Sequence, residues 1–294
     1  MITGILNPIA FHLGPIPVHW YGIILGSAAI FGLLLALWEA NRIGFDSDML
    51  MDLLIYAVPA AIIGARAYYV LFQWEFYSQH PSEIIAIWHG GLAIHGALIG
   101  SILTAYIFTK KRNVQFWKIA DLVAPSLLLG QTIGRWGNFM NQEAHGGPVS
   151  LEFLQNMHLP TFIIDQMHIK GVYYHPTFLY ESIWNLVGVI LLLWLRRKNP
   201  IQGMVFLSYF IWYSIGRFFI EGLRTDSLAF DGPNWLASLM NALWSPMRIF
   251  FQPGTMDYGN VRIAQLIGVV LIIAALIFMW YRKYKVDRPL RYLD

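Results

Sequence analysis

The sequence predicts an all-α membrane protein of seven transmembrane helices, with the N-terminus outside and the C-terminus cytoplasmic, and three observations point there. Of the 294 residues, 57% are hydrophobic and 13% are charged, where soluble domains carry about 25% charged residues. A soluble chain of this length needs far more polar surface. Apolar stretches long enough to cross a bilayer, roughly 20 residues each, recur along the whole chain. The cations gather in the short segments between alternate stretches, as topology signals do.

The stretches lie at 18–40, 51–73, 84–108, 118–138, 176–195, 203–221 and 261–281. The first opens on His19, Trp20 and Tyr21, and aromatic rings there fit an interfacial belt. The first cation is Arg42, so the start of the chain lacks the basic region of a cleavable signal peptide, and the first span is expected in the mature protein. With alternating spans, Arg42, Lys110, Lys111, Arg112, Lys118, Arg196, Arg197, Lys198 and the tail cations from Arg282 to Arg291 share one side. That side holds thirteen of the twenty Lys and Arg residues and is therefore cytoplasmic. Lys170, Arg224, Arg248 and Arg262 fall on the other side. The net charge of +3 and pI near 9.0 thus report topology, and nucleic acid is not an expected partner.

Two outside segments, 139–175 and 225–260, are long enough to fold over the membrane surface. The second carries Trp235, Leu236, Leu239, Met240, Leu243, Trp244, Met247 and Phe250 at helical spacing, as in an amphipathic helix lying in the interface. There is no internal repeat and no linker between soluble parts, so a single polytopic membrane domain is expected.

Arg66, Arg135 and Arg217 remain inside predicted spans. Placing a cation in hydrocarbon costs at least about 2.5 kcal/mol, so such residues usually face a polar cavity. The alternation puts all three toward the outer leaflet. In the sixth span, Tyr213, Arg217, Glu221 and Arg224 follow at i, i+4, i+8 and i+11, within roughly 80° of one another at about 100° per residue. In the fourth, Gln131, Arg135 and Asn138 share a face, with Asn141 and Glu143 just beyond. The third opens on a Gly-rich run, His89 to Gly100, in which His95 is the obvious general base at neutral pH. The fifth opens on His175-Pro176 and continues to Tyr180 and Glu181. A plainer reading makes each Arg–Glu pair a tie that holds the bundle together.

Guanidinium forks at headgroup depth suit a phosphate, because they bind its oxygens bidentately and keep their charge when partly desolvated. Chemistry that displaces a phosphate uses such cations to stabilise charge on the leaving group. The chain has no cysteine, so any thiol comes from the substrate.

The motifs resemble those of the bacterial phosphatidylglycerol:prolipoprotein diacylglyceryl transferases. The most specific is Gly134-Arg135-Trp136-Gly137-Asn138-Phe139-Met140-Asn141-Gln142-Glu143 with Gly146 after it. His19-Trp20-Tyr21-Gly22, Gly91-Leu92-Ala93-Ile94-His95-Gly96, His175-Pro176 with Tyr180-Glu181, and Tyr213 through Arg224 are similar to the family's other motifs, in its order. The resemblance implies transfer of the diacylglyceryl group of phosphatidylglycerol to the lipobox cysteine of a prolipoprotein signal peptide, in the bacterial cytoplasmic membrane and toward its outer leaflet. On that footing His95 deprotonates the thiol, unless a thiolate forms beside the arginines without a dedicated base. Arg135 and Arg217 hold the phosphate, Glu221 and Glu143 orient them, and Tyr213, Arg224 and Arg66 line the substrate site. The resemblance adds Tyr21, Asn138 and Gly146 as residues on which activity depends. The segment after Arg224 looks longer than the family pattern. No metal-ligand cluster or nucleotide loop is present in the sequence, so no cofactor is expected.

Three rival readings are open on the sequence. A transporter or flippase would bind an anionic lipid without chemistry, but such proteins usually show repeats and midplane sites. An intramembrane hydrolase needs a nucleophile, and nothing singles out Ser126 or Ser182. A structural scaffold leaves the intramembrane charges unexplained.

Overall fold

The computed structural model describes residues 6–256 and 258–294. In chain order the elements are β1 (Ile9–Leu13), β2 (Ile16–His19), α1 (Trp20–Arg42), α2 (Ser47–Phe72), α3 (Trp74–Gln79), α4 (Ile94–Lys111), α5 (Phe116–Met140), β3 (Pro148–Val149), α6 (Leu151–Asn156), α7 (Thr161–Gln166), β4 (His168–Ile169), β5 (Val172–Tyr174), α8 (Thr177–Arg196), α9 (Met204–Glu221), β6 (Ala229–Phe230), α10 (Asn234–Trp244), β7 (Val261–Arg262) and α11 (Ile263–Tyr284).

A long helix stands at each of the seven expected places. Four of them, α1, α2, α8 and α11, are long and apolar enough to cross a membrane. The other three are diluted by polar and charged residues. α5 carries Asp121, Gln131, Arg135 and Asn138, α9 carries Arg217 and Glu221, and α4 ends on Lys110 and Lys111. Outward-facing Ile30, Phe31, Ile63, Leu71, Val270 and Ile277 are all more than half exposed. Water would penalise that apolar surface, whereas lipid accommodates it.

The third stretch differs most from expectation, since its helix begins at Ile94 and not near 84. Residues Pro81–Ile85 and Ile87–His89 form 3-10 turns, and Gly90 and Gly91 adopt φ of +87° and +73°. Two successive left-handed residues end any helical path.

The chain divides into two compact units, Leu37–Ala120 and the remainder, 1–36 with 121–294. In the smaller unit α2 and α4 pack backbone to backbone. A Cβ added at Gly64 would lie 2.4 Å from the Gly96 carbonyl oxygen, and one at Gly100 equally close to that of Ala60. Small residues four apart on both helices permit this approach, the usual basis of helix association in lipid, where the hydrophobic effect offers little.

In the larger unit α5, α8 and α9 enclose a core of Ala124, Leu128, Val189, Leu192, Val205 and Tyr209. α8 and α9 are clasped reciprocally. Trp184 Nε1 donates to the Trp212 carbonyl and Trp212 Nε1 to that of Trp184, both at 2.9 Å, and the rings stack at 4.2 Å. Each indole lies against a glycine of the facing helix, Trp212 on Gly188 and Trp184 on Gly216. At the other end of this trio, Asp121 of α5 accepts from the Gly203 and Phe206 amides, at 2.6 and 2.8 Å. These are among the first amides of α9, which lack a helical partner.

Residues 139–175 run from the end of α5 to the start of α8 and include β3, α6, α7, β4 and β5. β3, β5 and β4 make an antiparallel sheet in that order, with Pro148 opposite Tyr174 and His168 opposite Tyr173. Beside it Phe139, Leu154, Ile163, Ile164, Met167 and Phe178 make a second core. Residues 225–260 include β6, paired with β7, and α10. α10 buries Ala237, Met240 and Trp244 and leaves Trp235, Leu239 and Leu243 exposed.

Candidate active site

The helical stripes seen in the sequence determine which residues of α5 and α9 look inward, and α8 lies between them. Arg135 Nε of α5 pairs with Glu181 Oε2 of α8. Arg217 Nη1 of α9 reaches Glu181 Oε1 at 3.3 Å, and Arg217 Nη2 meets Glu221 Oε2 at 2.7 Å. Two guanidinium groups from separate helices thus converge on one carboxylate. The arginine side chains are about one-fifth exposed, at 19% and 21%, while Glu181 is 6% exposed. The cations can therefore be reached from outside while the anion between them cannot.

The chain of charges continues past the end of α9. Arg224 Nε stands 3.9 Å from Glu221 Oε2, and Arg224 binds Asp226 through two hydrogen bonds, at 2.8 and 2.7 Å. Burial works to raise the Asp226 carboxyl, but this bidentate partner outweighs it and holds the group below the usual carboxylate range. On the α5 side, Asn138 Nδ2 donates to Glu143 Oε1 at 2.9 Å, and Arg135 Nη1 approaches Asn138 Oδ1 at 3.4 Å. Glu143 therefore bears on Arg135 through Asn138, whereas Glu221 bears directly on Arg217.

The loop glycines hold this array together. Gly146 bridges antiparallel to Arg224, its amide donates to the His175 carbonyl at 3.1 Å, and the Gly147 amide donates to that of Leu223 at 3.0 Å. A Cβ at Gly146 would meet the His175 Cβ at 2.7 Å. The segments that follow α5 and α9 and precede α8 are tied at this point. His175 is buried there, its Nδ1 3.2 Å from the Tyr180 hydroxyl, and burial lowers its pKa to about 4. Tyr21 lies against Gly137, where a Cβ would come 2.8 Å from its ring. The second glycine of the Gly134–Gly137 motif thus makes room for the tyrosine. Tyr213 stacks on Tyr209 at 6.1 Å, and the Tyr209 hydroxyl accepts from Gln131 at 3.0 Å.

Arg66 and His95 belong to the other unit. Arg66, expected to line the substrate site, donates to main-chain carbonyls. Its Nε donates to Ile84 at 2.9 Å, its Nη1 to Gly90 and Gly91 at 2.6 and 3.0 Å, and its Nη2 to Glu83. It also lies over the Tyr77 ring. Four carbonyls on one guanidinium pin the 3-10 segment before α4. His95 is exposed in the first turn of α4, 5.8 Å from the Tyr68 ring.

Glu181 is the member of the array that sequence reasoning undervalued, because spacing along one helix reveals a face but not what it faces. The available signal was charge balance, an acid inside an apolar span in a chain with intramembrane arginines.

The family model of prolipoprotein diacylglyceryl transferases matches residues 8–281. Among relatives, the phosphatidylglycerol–prolipoprotein diacylglyceryl transferases of Bacillus velezensis and Bacillus licheniformis are 54% and 55% identical over 289 residues. That of Geobacillus kaustophilus is 52% identical over the same length, and each comparison covers 98% of this chain and 97% of the relative. From the α5 motif to the arginine array, the chain belongs to the prolipoprotein diacylglyceryl transferase family.

Proposed function

We propose that this chain transfers the diacylglyceryl group of phosphatidylglycerol to the thiol of the lipobox cysteine of prolipoproteins, the first step of lipoprotein maturation. The names of its near full-length relatives support the substrates, and the observation that carries the chemistry is the meeting of Arg135 and Arg217 at Glu181. Two adjacent guanidiniums, partly open to the outside, are suited to a phosphodiester headgroup and to the extra charge that develops as it leaves. In the reaction the cysteine sulfur forms a bond to the glyceryl carbon that carries the phosphate. The carbon–oxygen bond breaks, and its electron pair stays with the departing glycerol phosphate.

The thiol proton needs an acceptor, because a free cysteine has a pKa near 8.5. His95 fills that role on chemical grounds, as an exposed imidazole at the head of its helix. Asn138 and Glu143 steady Arg135, Glu221 steadies Arg217, and Arg224 and Tyr213 extend the substrate-binding surface. Tyr21 and Gly146 shape it. The protein is a multi-pass protein of the bacterial cell membrane with seven spans, its N-terminus outside and its C-terminus in the cytoplasm. The site faces the outer leaflet, and segments 139–175 and 225–260 lie outside. The distribution of the cations supports this orientation.

The test is to incubate purified protein with phosphatidylglycerol and a lipobox peptide, with and without its cysteine, and weigh the peptide. A cysteine-dependent gain of one diacylglyceryl mass is expected. No gain with the cysteine present overturns the reading.

A further inference from the structure

The charge array contains an anion where the proposed reaction needs one to bind. Glu181 offers one oxygen to Arg135 and the other to Arg217, the pattern two phosphate oxygens would adopt. Each arginine keeps another partner besides Glu181. Arg217 holds Glu221 at 2.7 Å, and Arg135 has Asn138 at 3.4 Å. Losing the Glu181 contact would leave both guanidiniums in place.

We propose that Glu181 is a built-in stand-in for the lipid phosphate, which bridges Arg135 and Arg217 between turnovers and competes with substrate and product for them. This rests on the transferase reading above. A phosphodiester carries one negative charge, as a carboxylate does, so it can take the place of Glu181 on the arginines without changing the net charge they face. A phosphate monoester carries about −1.5 to −2 at neutral pH, so the arginines favour the charge that develops as the carbon–oxygen bond breaks. Preference for the transition state over the ground state is what accelerates a reaction. After transfer, the returning carboxylate helps expel the tightly held product. Glu181 is thus a positioning residue that acts through the arginines and sets their preference among anions.

The experiment measures transfer by full-length protein in lipid nanodiscs, with inorganic phosphate and glycerol phosphate as inhibitors, in the natural chain and in Glu181→Gln. Removing the charge while keeping the shape should tighten inhibition by both anions about tenfold, as expected for one hydrogen-bonded charge. It should also lower KM for phosphatidylglycerol and reduce kcat. A residue that merely braced the arginines would give the opposite, weaker inhibition and a higher KM, and that result or unchanged inhibition overturns the proposal. Glu181→Asp keeps the charge but shortens the reach, and its inhibition should fall between the other two. If Glu181→Gln does not fold, inhibition by Glu181→Asp equal to or weaker than that of the natural chain overturns it. Absence of transfer by the natural chain would instead defeat the transferase reading.

Discussion

In the proposed reaction Arg135 and Arg217 carry the chemistry at the level of single residues, and lysine lacks the geometry to replace them. Arg135 uses Nε and Nη1 in different directions, and Arg217 uses both of its Nη groups. An ammonium is a point charge without that fork. Arg135→Lys or Arg217→Lys should each lower kcat/KM by on the order of 100-fold, within the range of losses when one transition-state donor is removed, with the melting temperature little changed. Arg66→Lys should do the reverse, because one ammonium cannot serve the four carbonyls that Arg66 holds. A clear loss of thermal stability with KM for the lipid nearly unchanged is expected. His175 gives a pH dependence. Its folded pKa, about 4, lies below the unfolded value near 6.5, so the unfolded chain takes up a proton first as pH falls. Stability should therefore decline from about pH 6.5 and level off near pH 4. The decline in melting temperature should be smaller in His175→Phe. The residue types and stripes were legible from helical periodicity. Arg66's carbonyl partners were not, because Glu83 and Ile84 belong to a 3-10 turn and Gly90 and Gly91 to a positive-φ pair, where an apolar run suggested helix.

Between elements, close approach decides what is allowed. The α8–α9 clasp places Trp184 on Gly216 and Trp212 on Gly188, with Cβ positions 2.3 Å from the indole. Gly216→Ala should cost about 1–3 kcal/mol, the usual range for overpacking. It should also reduce transfer, because α8 and α9 carry Glu181 and Arg217. Loss of thermal stability in nanodiscs is the readout. The long helices could be read from apolar length alone. The strands could not, since β3 to β7 are two or three residues each and too short to show an alternating pattern. The start of α4 was displaced by the φ values of Gly90 and Gly91, which a hydropathy pattern does not register.

For the molecule as a whole, the absence of cysteine provides a clean background for topology. A cysteine at Lys170 should react with a membrane-impermeant maleimide in intact cells, and one at Lys198 only after permeabilisation. The reverse would overturn the orientation. The polar content that keeps α5 and α9 below the hydropathy of α1, α2, α8 and α11 includes Arg135, Asn138, Arg217 and Glu221 of the candidate site, so apolar length singles out least clearly the helices that carry those residues.

The central claim, that Arg135 and Arg217 hold one phosphate together, is tested most directly by a double-mutant cycle on kcat/KM for diacylglyceryl transfer. With Arg135→Lys, Arg217→Lys and both, the double substitution should cost little more than either single one, because the two arginines act as a unit. Two losses that simply add, or a near-normal rate in either single variant, would contradict it.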